Sequence, residues 1–135
     1  MRRVRAAVKS ALALGDVTAG TVSVVVVDDP TIHDLNRRHL DHDYPTDVLS
    51  FAIEQADAYV EGDIVASADT AARMAPRYGW TAEDELLLYV VHGALHLVGF
   101  DDLEPAKLKK MRAAERQVLA QFGLQARYED RAATE

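Results

Sequence analysis

The chain alternates between helical and strand-like spacing of its apolar residues. Val4, Val8, Ala11 and Leu12 recur at helical spacing across residues 3–14, and Gly15 ends that run. Residues 22–27 are almost all valine, as expected of a strand buried on both faces. Asp29 and Pro30 open the next helix, aspartate as cap and proline in the first turn, and this helix carries Ile32, Leu35 and the basic pair Arg37–Arg38. A polar loop over residues 39–45 leads into a period-two stretch over 46–53. There Leu49, Phe51 and Ile53 face one way, while Val48, Ser50 and Ala52 form a small-residue face suited to flooring a cleft. Residues 54–58 read as a polar turn and 59–66 as a further strand.

A helix over 69–78 follows, with Pro76 disturbing its last turn and Gly79 stopping it. Thr81 to Asp84 reads as a capping box, with aspartate in place of the usual glutamate, and opens a longer apolar helix. Glu104–Pro105 starts a last helix whose stripe of Leu108, Met111, Val118, Leu119 and Phe122 points inward, and Gly123 ends it. The order αβαββααα predicts an α+β fold, a single domain over residues 1–135 with a small mixed β-sheet and helices packed on it. From about Tyr128 to residue 135 the chain is polar, the composition of a frayed tail.

The apolar helix after Thr81 carries His92 and His96, four positions apart. On a helix they stack on one face, roughly 6 Å apart along the axis. Both imidazoles can then reach one metal ion, although an apolar helix can equally hold two hydrogen-bonded core histidines. Gly99 stands where a left-handed cap would end the helix, and the reversed chain would bring Asp101 or Asp102 back towards the histidines. Two ligands on a helix, a glycine turn and a third ligand beyond it, with a fourth position open, describe a catalytic zinc site. Gly93 occupies the position where His-Glu-x-x-His proteases carry their general base, which disfavours a metallopeptidase.

The absence of cysteine removes disulfides and thiolate metal sites and suits a reducing cytoplasm. No apolar run reaches the length of a membrane span, and the basic N-terminus lacks a signal-peptide core. The net charge of −7, taken alone, opposes a nucleic-acid partner. Cations nevertheless cluster at residues 2–9, at Arg37–Arg38 and along 107–116, which leaves room for a local basic patch.

Three stretches in order resemble the YbeY family of bacterial metal-dependent endoribonucleases. Pro45-Thr46-Asp47-Val48-Leu49-Ser50-Phe51 is similar to one family motif and Gly62-Asp63-Ile64 to another. Val91 to Asp102 resembles the family's zinc-binding signature, His-Gly-x-Leu-His-Leu-x-Gly-aromatic-Asp-His. Leu35-Asn36 and the pair Met111 and Glu115 also fall where the family places them, so the resemblance runs from about Ile32 to Phe122. It implies a zincin-like metal helix with one Zn2+ per chain held by His92, His96 and Asp102, and with Asp101 orienting a ligand. It also implies cleavage of single-stranded RNA in small-subunit ribosomal RNA 3′-end maturation and ribosome quality control, with the small ribosomal subunit as partner, in the cytoplasm.

The chain departs from the family at two places. Asp102 stands where the family usually has a third histidine; a carboxylate is an acceptable zinc ligand, and its harder oxygen widens tolerance towards manganese. His39 and Leu40 stand where the family commonly has an aromatic residue and an arginine, and leucine cannot clamp a phosphate. Arg37 and Arg38 are left to meet the RNA backbone, and His42, Thr46, Asp47 and Ser50 are the candidates for positioning water or substrate. No residue is marked as the general base. The missing arginine and base favour a competing reading, a non-catalytic ribosome assembly factor whose metal is mainly structural.

Overall fold

The computed structural model describes residues 2–44 and 46–128; Pro45 of the first motif and all but Tyr128 of the tail expected over about 128–135 lie outside the described residues. The elements are α1 (Arg2–Leu14), β1 (Ala19–Val27), α2 (Asp29–Leu40), β2 (Val48–Ala56), β3 (Tyr59–Ser67), α3 (Ala68–Met74), a 3-10 turn (Ala75–Tyr78), α4 (Ala82–Leu97) and α5 (Pro105–Ala120). The sheet order is β1-β3-β2, with β1 parallel and β2 antiparallel to the central β3. The α+β fold with a small mixed sheet is therefore as the sequence predicts.

Three local expectations need correction. The valine-rich strand is not buried on both faces: β1 is an edge strand, and Val25 and Val26 are nearly half exposed. The helix after it, α2, packs on β2 and β3 through Ile32, Leu35, Leu49, Phe51 and Val65, which leaves much of β1 uncovered. The aspartate that caps α2 is Asp28, whose Oδ1 accepts from Thr31 N at 2.9 Å. Asp29 instead accepts from Ser67 Oγ, Thr70 Oγ1 and Arg73, tying α2 to α3, and these donors outweigh its partial burial to hold its carboxyl below the usual range. Finally, β2 does not stop at Ile53: the register shifts between Ala52 and Glu54, and pairing resumes to Ala56, so only Asp57 and Ala58 separate the strands.

Helix α4 is the centre of the molecule. It contacts β2 and β3 on the face opposite α2, and α1, α3 and α5 surround it. Thr81 Oγ1 accepts from Asp84 N, and Asp84 accepts in return from Thr81 N, completing the expected capping box. At the other end Gly99 (φ +100°) donates to His96 O and Phe100 N donates to Leu95 O, the paired bonds of a Schellman cap.

The Val48–Ser50 face seats this helix instead of flooring an open cleft. Ser50 Oγ donates to Gly93 O at 2.9 Å, and a Cβ on Gly93 would lie 2.8 Å from Ile64 Cγ2 and 2.9 Å from Ser50 Oγ. Glycine is required here by close approach of helix to sheet, so a glutamate could not fit at this position. Gly93→Ala is expected to destabilise the chain, because overpacking costs about 1–3 kcal/mol against the roughly 1 kcal/mol alanine gains in a helix. Thermal unfolding of the two proteins measures this difference.

Candidate metal centre

The four-residue spacing on α4 and the Schellman turn after it determine what meets at the centre. His92 is 6% exposed and His96 is partly open. Their Nε2 atoms lie 3.0 Å apart, and Asp102 Oδ2 lies 3.4 Å from His92 Nε2 and 3.7 Å from His96 Nε2. Two ligands each about 2.0–2.1 Å from a tetrahedral zinc stand roughly 3.4 Å apart. The three separations bracket that value. Asp102 Oδ2 is also buried without a hydrogen-bond partner, an expensive position for a carboxylate oxygen unless a cation faces it. The donor set, its spacing and its orphaned oxygen suit a metal ion, which His92, His96 and Asp102 could hold together.

Of the two aspartates after Gly99, only Asp102 joins this group. Asp101 Oδ1 accepts from Leu103 N at 2.9 Å, and its other oxygen lies 3.9 Å from Lys107 Nζ. Asp101 thus shapes the turn that carries Asp102; it does not hydrogen-bond a histidine ring. The carboxylate that does is Glu115 of α5, whose Oε2 is 2.5 Å from His92 Nδ1. Its Oε1 accepts from the Tyr128 hydroxyl at 2.7 Å, so Tyr128 is docked on the core and the frayed tail cannot begin there. Sequence reasoning assigned Glu115 no role, yet it left a signal. It lies four after Met111 and three before Val118, an acid on the buried stripe of α5.

The electrostatics follow from these contacts. Burial opposes a charge on His92, but the carboxylates of Asp102 and Glu115 outweigh it and raise the pKa of the metal-free ring to about 9. Burial and the neighbouring His92 charge lower the pKa of His96. Asp102, though buried, is held below the usual carboxylate range by His92 and His96. Asp47 reaches the site from the loop before β2, and burial raises its pKa to about 6 despite the attraction of His92. Its backbone is fixed by Ser67 N donating to Asp47 O, and Thr46 Oγ1 donates to its Oδ1 at 3.3 Å. Burial and Glu115 together raise the Tyr128 hydroxyl, which stays protonated as a donor.

The remaining candidates are more dispersed. Arg37 and Arg38 are exposed and both turn to Asp34, at 2.7 and 3.5 Å, so the patch is partly neutralised by its own helix. His42 stacks on Tyr44 in the exposed loop, and Asn36 holds that loop by donating to Tyr44 O. Ser50 is bound to Gly93 O. His39 meets the edge of Phe51, and Leu40 is exposed.

Fold and site together define a small α+β protein built around two histidines on one helix and an aspartate just beyond its end, a group that could hold a metal ion. Residues 1–123 match the family described as Endoribonuclease YbeY, and the chain belongs to that family. It is 48% identical over 108 residues to Endoribonuclease YbeY of Rhodopirellula baltica, covering 78% of this chain and 56% of that protein. The chain thus spans little more than half of that relative. It is 42% identical over 113 residues to Endoribonuclease YbeY of Desulfitobacterium hafniense, covering 76% of this chain and 72% of the other. The solution structure of TM1509 from Thermotoga maritima superposes with a TM-score of 0.61 at 26% identity, over 90% of this chain and 83% of that one. Among the described residues no helix is long and apolar enough to cross a membrane.

Proposed function

We propose that this chain is a zinc-dependent endoribonuclease that cuts single-stranded RNA, acting in the cytoplasm on the small ribosomal subunit in 3′-end maturation of its RNA and in quality control. The observation that carries the reading is the convergence of His92 Nε2, His96 Nε2 and the orphaned Asp102 Oδ2 in a member of an endoribonuclease family. A bound zinc would supply Lewis acidity at a phosphoryl oxygen and acidify water. Asp47, which burial holds above the usual carboxylate range in the metal-free chain despite the attraction of His92, is the carboxylate placed to take up a proton, with Thr46 orienting it. Arg37 and Arg38 meet the RNA backbone, and His42 lies on the loop between them and Asp47. Ser50 supports the site by holding Gly93 and with it the helix.

The test is cleavage of a labelled single strand and of its duplex by the purified chain, before and after chelation. Internal cuts in the single strand are expected, lost on chelation and restored by zinc. Full zinc loading without cleavage would favour the structural-metal assembly factor.

Metal binding should depend strongly on pH. His92 with a pKa of about 9 is protonated at neutral pH in the metal-free chain, and a ligand nitrogen must be free of its proton. Apparent zinc affinity should therefore rise with pH, by about tenfold per unit below 9 if one proton is released. The metal-free chain moves the opposite way. Because the folded pKa of His92 lies above its ordinary value, the stability its imidazolium contributes is full below about pH 6.5 and is lost as pH rises through 9. Zinc competition assays and metal-free melting curves at several pH values check both slopes.

A further inference from the structure

Glu115 is 2% exposed, and both its oxygens are engaged, one by His92 Nδ1 and one by the Tyr128 hydroxyl. The Tyr128 ring in turn carries two guanidiniums, with Arg112 4.2 Å and Arg116 4.9 Å from its centre. Desolvating a buried carboxylate on an apolar helix stripe costs about as much as its hydrogen bonds return, and packing alone would be served by an apolar residue. Its position has a definite chemical consequence. An ionised carboxylate only accepts, so the His92 nitrogen facing it must be the N–H. When the ring is neutral, the lone pair is then on Nε2, the atom that faces His96 and Asp102. The tyrosine hydroxyl stops the carboxylate from rotating away from the ring, and the stacked guanidiniums hold the tyrosine.

We propose that Tyr128 and Glu115 form a positioning relay that fixes the tautomer and orientation of His92, so that the segment after α5 sets the metal affinity of a site on α4. The relay rests on the metal reading of His92, His96 and Asp102. It adds two residues outside that ligand set.

Zinc affinity, measured against a chromophoric chelator, tests it for wild type, Glu115→Gln, Glu115→Leu and Tyr128→Phe. The His92 Nδ1–H resonance of the zinc-loaded proteins and melting of the metal-free proteins accompany it. Glu115→Leu should weaken zinc about 10- to 100-fold. Glu115→Gln should weaken it less, since its amide oxygen still accepts from Nδ1–H. Tyr128→Phe keeps the ring and its cations and should weaken zinc up to about tenfold, with no further effect when added to Glu115→Leu. The Nδ1–H proton should exchange faster in Glu115→Leu and Tyr128→Phe. Should Glu115→Leu fail to fold, Glu115→Gln and Tyr128→Phe decide. Wild-type affinity and an unchanged Nδ1–H resonance in Tyr128→Phe overturn the relay, and do so even if its melting temperature falls. A wild-type chain that takes up no zinc overturns the metal reading itself.

Discussion

His96→Ala is expected to lose zinc and RNA cleavage together while the metal-free chain still folds. His96 is the most open of the three proposed ligands, and its Nε2 faces His92 and Asp102 at the centre. Removing it leaves two ligands and takes away no hydrogen bond to α5. The loss of affinity should well exceed the roughly 10- to 100-fold typical of losing a hydrogen-bonded neighbour of a ligand. His92→Ala should lose zinc equally but also destabilise the fold. It deletes the partner of Glu115 Oε2 and leaves a carboxylate buried at the α4–α5 contact, a loss of about 3–5 kcal/mol if the charge is uncompensated. Metal analysis and metal-free melting of the two variants separate these outcomes. Full zinc in either would move the site off this helix.

The second large effect belongs to Asp102. Asp102→Ala should drop zinc affinity steeply and also destabilise the metal-free chain near neutral pH, because it removes the carboxylate that faces the His92 imidazolium at 3.4 Å and is held ionised by it. Asp102→His should restore binding through three neutral ligands. The ion would then carry more uncompensated charge, water there would be more acidic, and the pH–activity profile should move to lower pH. Asp101→Ala should act more weakly, through the Leu103 turn it caps. Zinc retained in Asp102→Ala and lost in Asp101→Ala would exchange the two assignments.

Much of this was legible in the chain. The capping box, the two histidines and Gly99 are short-range features, and local geometry alone fixed their arrangement. What stayed hidden depends on distant contacts. Residues 22–27 could not reveal that β1 lies at the sheet edge or that α2 packs mainly over β2 and β3. Gly93 looked like a missing base, when it is the point where α4 touches Ile64 and Ser50. The choice between Asp101 and Asp102 was open to spacing, and the family resemblance favoured Asp102; Leu103 N holding Asp101 is a detail of the turn. Glu115 meets His92 across 23 residues of sequence and Tyr128 meets Glu115 across 13, beyond the reach of helical periodicity.

The most direct measurement is single-turnover cleavage of a single-stranded RNA by the chelator-stripped chain during titration with zinc. No cleavage is expected at the start, then a rise in proportion to zinc and a plateau at one ion per chain. Undiminished cleavage by the stripped chain, or a plateau reached with His96→Ala as with wild type, would contradict zinc-dependent cleavage at this centre.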